Sequence, residues 1–346
     1  MTAVAVSLLP VSVFLVALVA FDSFKLLRAS RVALALAAGG VAALAAAGLH
    51  GWLLDVTGLE PRVFSRYVAP VTEETLKAAC VLYPLLRRQV GFLVDAAIVG
   101  FAVGAGFALV ENIEYISALA DRRIWVWIAR GFGTAILHAT MTATLAISAK
   151  SILDRQPRRG ALAVLPGLAA AIVIHALHNH VLVSPLLSAL LLILVVPLVV
   201  RLIYHRSEER TREWVGEGLD LDVQLLELVT SSAFSGTRMG RYLEELRARL
   251  PGPTVADMFC LLRLDLELAI RAKGLLMARE AGLDVPPDAA LRDRLAERIY
   301  LERAIGRTGL AALRPLQVTS DRDRWHQFLL LQAGGQVPWW RRKWIQ

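Results

Sequence analysis

Five ionisable side chains and one amide sit inside stretches of sequence otherwise too apolar for them: Glu73, Glu74, Glu111, His138, His175 and Asn179. Glutamate beside imidazole, in surroundings that exclude water, has two chemical uses. The carboxylate can take a proton from water so that the water attacks a carbonyl, while His and Asn donate hydrogen bonds to the developing oxyanion. Alternatively Glu111, His138 and His175 can hold a zinc ion with one coordination position open, leaving Glu73 or Glu74 as general base. The sequence has no H-E-x-x-H, no G-x-S-x-G and no phosphate-binding loop, and the threonines around His138 (Thr134, Thr140, Thr142, Thr144) form no recognisable nucleophile arrangement.

The elements that position these groups are legible from composition. Of the 346 residues, 56% are hydrophobic, and the apolar residues are concentrated before Arg206. A helix needs roughly 20 apolar residues to cross a bilayer, and lipid offers no other partner for backbone polar groups. The sequence therefore predicts an all-α fold: a polytopic helical membrane bundle over 1–205, followed by a soluble helical cytosolic domain over 206–346. Seven spans are expected, at about residues 3–21, 32–54, 64–86, 91–119, 131–149, 160–182 and 185–204. The first is read as a span and not a signal peptide, because it lacks a basic leader and a small-residue cleavage site.

Loop charge sets the orientation. Lys25, Arg28, Arg31, Arg87, Arg88, Lys150, Arg155, Arg158, Arg159, Arg206, Arg210 and Arg212 fall on one side; Arg62, Arg66, Arg122, Arg123 and Arg130 fall on the other. Positive loops face the cytoplasm, so the N-terminus is expected outside a bacterial inner membrane and the tail inside. The net charge of +8 is accounted for by those loops and does not point to nucleic acid. Cys80 and Cys260 fall in different compartments, so no disulfide is expected.

A charged side chain in a span costs about 2.5–3.5 kcal/mol, so each one asks for a reason. Here they gather in four consecutive spans. With the orientation above, Glu73, Glu111, His138 and His175 each lie about seven to nine residues from the outer end of their span, roughly 10–14 Å below the surface. Glu73 and Lys77 are spaced to pair at i and i+4, with Glu74 turned about 100° away. His175 and Asn179 share a face, and Gly100 with Gly104 lets span four approach a neighbour closely. His50, His178 and His180 are expected near the outer interface, Glu114 toward outer solvent, and His205 and His326 on the tail surface.

In the tail, Thr254 with Asp257 suggests a helix over Val255–Glu280 with Phe259, Leu262, Leu266 and Ile270 along one face, and a second helix over Asp288–Leu313. The basic, aromatic segment Val337–Gln346 suits a membrane surface.

The ordered set Glu73-Glu74-x-x-Lys77, Phe107-x-x-x-Glu111-Asn112, His138 and His175-x-x-x-Asn179 resembles the PrsW family of bacterial intramembrane proteases, relatives of the CAAX-processing and Abi membrane proteases. The resemblance covers about residues 60–182. It implies cleavage of a membrane-anchored regulatory protein, such as an anti-sigma factor, near the outer membrane face. It also implies a catalytic Glu73 or Glu74, with Glu111, His138 and His175 in the site and Asn179 as a supporting donor. CAAX-type relatives carry a histidine where this chain has Glu111, and the family's dependence on metal is left open by the sequence. A proton- or ion-coupled transporter could use the same buried groups as a relay, although no internal repeat of that class is found. A seven-span receptor would not need them.

Overall fold

Long apolar runs with short polar connections fold as helices throughout, and among the described residues there is no strand. A computed structural model describes residues 2–22, 27–118, 123–283 and 289–316. The chain divides into two compact units, Met1–Glu209 and Arg210–Gln346.

The first unit contains α1 (Thr2–Ala20), α2 (Ala29–Thr57), α3 (Ala69–Leu86), α4 (Leu93–Ala118), α5 (Ala135–Arg155) and α6 (Leu165–Asn179). The last helix to begin there, α7 (Pro185–Thr230), carries the final apolar stretch. Five helices are long and apolar enough to cross a membrane: Ala29–Thr57, Leu93–Ser117, Ile124–Arg155, Pro157–Asn179 and Pro185–Arg206. The two others expected from sequence fall outside that set for physical reasons. The apolar part of α1, Val4–Ala20, is shorter, and the 18 residues of α3 include Glu73, Glu74 and Lys77.

Helix α4 is the centre of this unit, packed between α2 and α5, with α1 and α3 also against it. Its Ala- and Gly-rich sequence makes that possible. A Cβ on Gly106 would fall 1.9 Å from the Leu36 carbonyl oxygen of α2, and one on Gly104 would fall 2.5 Å from the His138 carbonyl oxygen of α5. Gly100 meets α5 in the same way, at Thr142 O, so the backbones touch where the sequence placed small residues. In the first turn of α4, Asp95 Oδ2 accepts from the Gly91 and Phe92 N–H groups just ahead of the helix.

Two helices are entered through wide π turns, Phe64–Val68 ahead of α3 and Ala129–Thr134 ahead of α5. Such turns insert a residue relative to regular helix and often lie at functional sites. The second joins Ile124–Ile128 to α5, so this span begins several residues before the expected 131.

In the second unit, α8 (Arg238–Arg247), α9 (Gly252–Glu280) and α10 (Ala289–Leu313) share a core that includes Leu243, Met258, Leu261, Leu268, Leu291 and Ile305. The expected face of α9 is partly recovered: Leu262 and Leu266 pack with Val229 and Phe259, but a second face, through Met258 and Leu261, builds the main core. Thr254 lies inside α9, not at its start, since the helix begins at Gly252. Buried Lys273 bonds Asp222 Oδ2 at 2.6 Å and Gly218 O at 2.8 Å. Asp265 pairs with Arg298 at 2.7 Å, yet burial outweighs that attraction and pushes its carboxyl above the usual range. Asp288, His326 and the segment Val337–Gln346 lie outside the described residues, as does Arg122. Both cysteines are free.

Candidate metal and proton-transfer site

Helix α3 turns Glu73, Glu74 and Lys77 inward, α4 adds Glu111, α5 adds His138 and α6 adds His175. All five acids and imidazoles singled out from sequence meet in one cluster. Glu74 and Lys77 are fully buried and 2.6 Å apart. This replaces the expected Glu73–Lys77 pair. Both carboxylates are within one helical turn of the lysine, and the rotation of α3 toward α5 and α6 selects the i, i+3 partner.

Glu74 Oε1 is also 2.8 Å from His175 Nδ1, and Lys77 Nζ is 2.8 Å from His138 Nδ1. These contacts fix the rings. A carboxylate can only accept, so His175 carries its proton on Nδ1 and leaves Nε2 with a free lone pair. An ammonium can only donate, so neutral His138 carries its proton on Nε2, which lies 3.2 Å from Glu111 Oε2. The two rings meet edge to face with centroids 4.8 Å apart. The Phe107 ring lies 5.4 Å from the His138 ring and 4.7 Å from Lys77 Nζ, closing that side with apolar surface.

Charge bookkeeping separates the three glutamates. Lys77 accompanies Glu74, and Arg130 Nη2 lies 3.4 Å from Glu111 Oε2. Glu73 has no such cation among the described residues. Its Oε2 is buried with no hydrogen-bond partner, as are Oε2 of Glu74 and Glu111, and it lies 3.9 Å from His175 Nε2. Ligand atoms of Glu73, His138 and His175 all lie within 4.8 Å of one another. The converging trio therefore contains Glu73, in place of the expected Glu111. Glu111 Oε2 is instead engaged by Arg130 Nη2 at 3.4 Å and lies 3.2 Å from His138 Nε2. Two imidazoles and one carboxylate are the ligand set of open catalytic zinc sites, so the residues present fit a divalent metal.

The remaining candidates lie at the margin. Asn179 Nδ2 donates to Ser65 O at 2.8 Å, tying the end of α6 to the π turn before α3. His180 meets the Tyr67 hydroxyl at 3.1 Å, and His178 approaches Thr134 at 3.5 Å. His50 is more enclosed than an interfacial histidine, with Nε2 2.6 Å from Thr72 Oγ1 and its ring edge-on to Phe64. Sequence reasoning missed Arg130, counting it as an outer-loop charge. Its spacing from His138 on one helix was the available signal, hidden because the intervening π turn alters the register.

A family model described as PrsW family intramembrane metalloprotease matches residues 25–203. No curated protein and no solved structure matches the chain.

Proposed function

Because the chain belongs to the PrsW family of intramembrane metalloproteases, we propose that it hydrolyses a peptide bond in or near the membrane segment of a membrane-anchored regulatory protein, such as an anti-sigma factor. The observation that carries this reading is the convergence of Glu73, His138 and His175, from three different helices, within 4.8 Å. A trio assembled from separate spans is costly to bury, and hydrolysis gives it a use that lipid packing does not.

In this reading seven spans cross a bacterial inner membrane, α1 and α3 joining the five more apolar helices. The N-terminus is outside, and residues 206–346 form a cytosolic domain. The charges of α3 all face the bundle, which is what allows that helix to sit in lipid. Loop charge supports the orientation.

Glu73, His138 and His175 would hold the metal, zinc being the candidate, and a bound divalent metal supplies a Lewis acid that acidifies water and polarises a carbonyl. Glu74 orients His175 through Nδ1, the outer-partner arrangement typical of metal-bound histidines. Lys77 balances Glu74 and holds the His138 ring. With Nε2 of His138 serving a metal, its ring proton would leave to solvent while Lys77 passes one to Nδ1, keeping the imidazole neutral, and Glu111, beside Nε2, would be the group that accepts a proton from water. Asn179 fixes the outer end of α6 to the turn ahead of α3, and its role is positional.

The test uses the purified chain in proteoliposomes with single-span substrates. Chelation should abolish cleavage and added zinc restore it; Glu111→Gln should keep its metal and lose about 10²–10⁴-fold in rate. Full cleavage in chelator would overturn the metal assignment. Ion flux through the same vesicles without any cleavage would overturn the protease reading in favour of a transporter.

A further inference from the structure

Arg130 is placed unlike a loop charge. It sits second in the π turn Ala129–Thr134, its side chain is 14% exposed, and its guanidinium reaches three residues of one stretch of α4. Nη2 lies 3.4 Å from Glu111 Oε2, Nε donates to Asn112 Oδ1 at 2.9 Å, and the guanidinium carbon lies 3.5 Å from the centroid of the Tyr115 ring. A planar fork can satisfy a carboxylate, an amide oxygen and an aromatic face together, which a lysine ammonium cannot.

Asn112 is itself pinned. It is 1% exposed, and its Nδ2 donates to the Ser7 carbonyl of α1 at 2.9 Å. With a donor on its oxygen and an acceptor on its nitrogen, the amide has one orientation. The residue after Arg130 closes on the same helix: a Cβ on Gly131 would fall 2.0 Å from Val6 O and 3.0 Å from Ser7 Cα. A continuous path of contacts therefore runs from the backbone of α1 through Asn112 and Arg130 to Glu111, and from there to His138.

We propose that Arg130 is the positioning residue that holds Glu111 against His138, and that α1, which precedes the matched residues 25–203, is part of the scaffold that fixes it. The proposal rests on the protease reading for the step it serves, but the pairing itself can be measured without catalysis. Arg130 touches no reacting atom; it acts through the carboxylate it orients.

Three readouts on the full chain in detergent and proteoliposomes decide it. In thermal unfolding, Glu111→Gln and Arg130→Gln should each lower Tm, and the double variant should fall no further than the worse single. In processing, Arg130→Gln should lower kcat about tenfold or more with KM within about twofold and zinc content retained, and Arg130→Lys should recover only part of the loss. Asn112→Leu should lower kcat in the same direction although it is remote from the metal trio. Additive Tm losses, or a kcat unchanged by Arg130→Gln, would overturn the proposal. Should Arg130→Gln fail to fold, Arg130→Lys and Asn112→Leu carry the same kcat comparison, and wild-type values in both overturn it. If the unsubstituted chain cleaves no substrate, the protease reading fails, and the thermal cycle still decides whether Arg130 is held through Glu111.

Discussion

His175→Ala should abolish bound metal and reduce processing by about 10³-fold or more, well beyond the 10–100-fold expected when only an outer partner is lost. His175 is the imidazole already in the ligating tautomer, its Nδ1 proton given to Glu74 and its Nε2 left facing Glu73. Removing it takes one of three donors from an open site that has no spare. Glu74→Gln provides the internal contrast. The amide oxygen can still accept from Nδ1, so the ring keeps its aim, but the charge that balances Lys77 is gone and metal affinity should fall by about 10–100-fold. Zinc content by emission spectroscopy and cleavage rate, measured on the same preparations, check both. Equal losses in the two variants would mean that Glu74 is itself a donor and that the assignment of roles on α3 is wrong.

Gly104→Leu should cost about 10²-fold or more in processing even though glycine has no chemistry to lose. A Cβ at this position would stand 2.5 Å from His138 O and 2.6 Å from Ala139 Cα, both backbone, which cannot swing aside. The α4 and α5 axes must part, and His138 rides on the helix that moves. Displacement of a reacting group by about 1 Å is enough for a loss of that size. Overpacking also destabilises, typically by 1–3 kcal/mol, so Tm should fall as well. Gly48→Leu is the matched control: nothing lies within 4 Å of a Cβ there, and it should process substrate like the unsubstituted chain. Normal cleavage by Gly104→Leu would show that the α4–α5 approach does not set the position of His138.

How far the sequence carried this picture depends on what kind of fact was asked of it. Helix existence was legible because long apolar runs have few other solutions in lipid, and Glu73, Glu111, His138 and His175 could be placed at one level by counting rise per residue. Gly100 and Gly104 announced a close approach, which α5 occupies. Partner choice was not legible. Lys77 stands four residues from Glu73 and three from Glu74, and periodicity admits both; the packing of α3 on its neighbours decides for Glu74. The same holds for the trio, where the sequence offered Glu111 with the two histidines as one alternative and the structure brings Glu73 to the imidazoles. Arg130 was counted among the outer-loop charges because it follows a charged loop, and the wide turn that carries it inward leaves no mark in hydropathy. Asn179 was assigned by its face relative to His175; the proximity of Ser65 O, which its amide meets, comes from tertiary packing.

X-ray absorption at the zinc edge of the reconstituted chain tests the account where it is most exposed. One equivalent of metal with two imidazole nitrogens and one carboxylate oxygen, at about 2.0–2.2 Å, is the expected first shell. Loss of the oxygen contribution in Glu73→Gln, with the shell intact in Glu111→Gln, would complete that assignment. A chain that takes up no metal at one equivalent yet cleaves its substrate, or a shell that loses oxygen in Glu111→Gln instead, would contradict it.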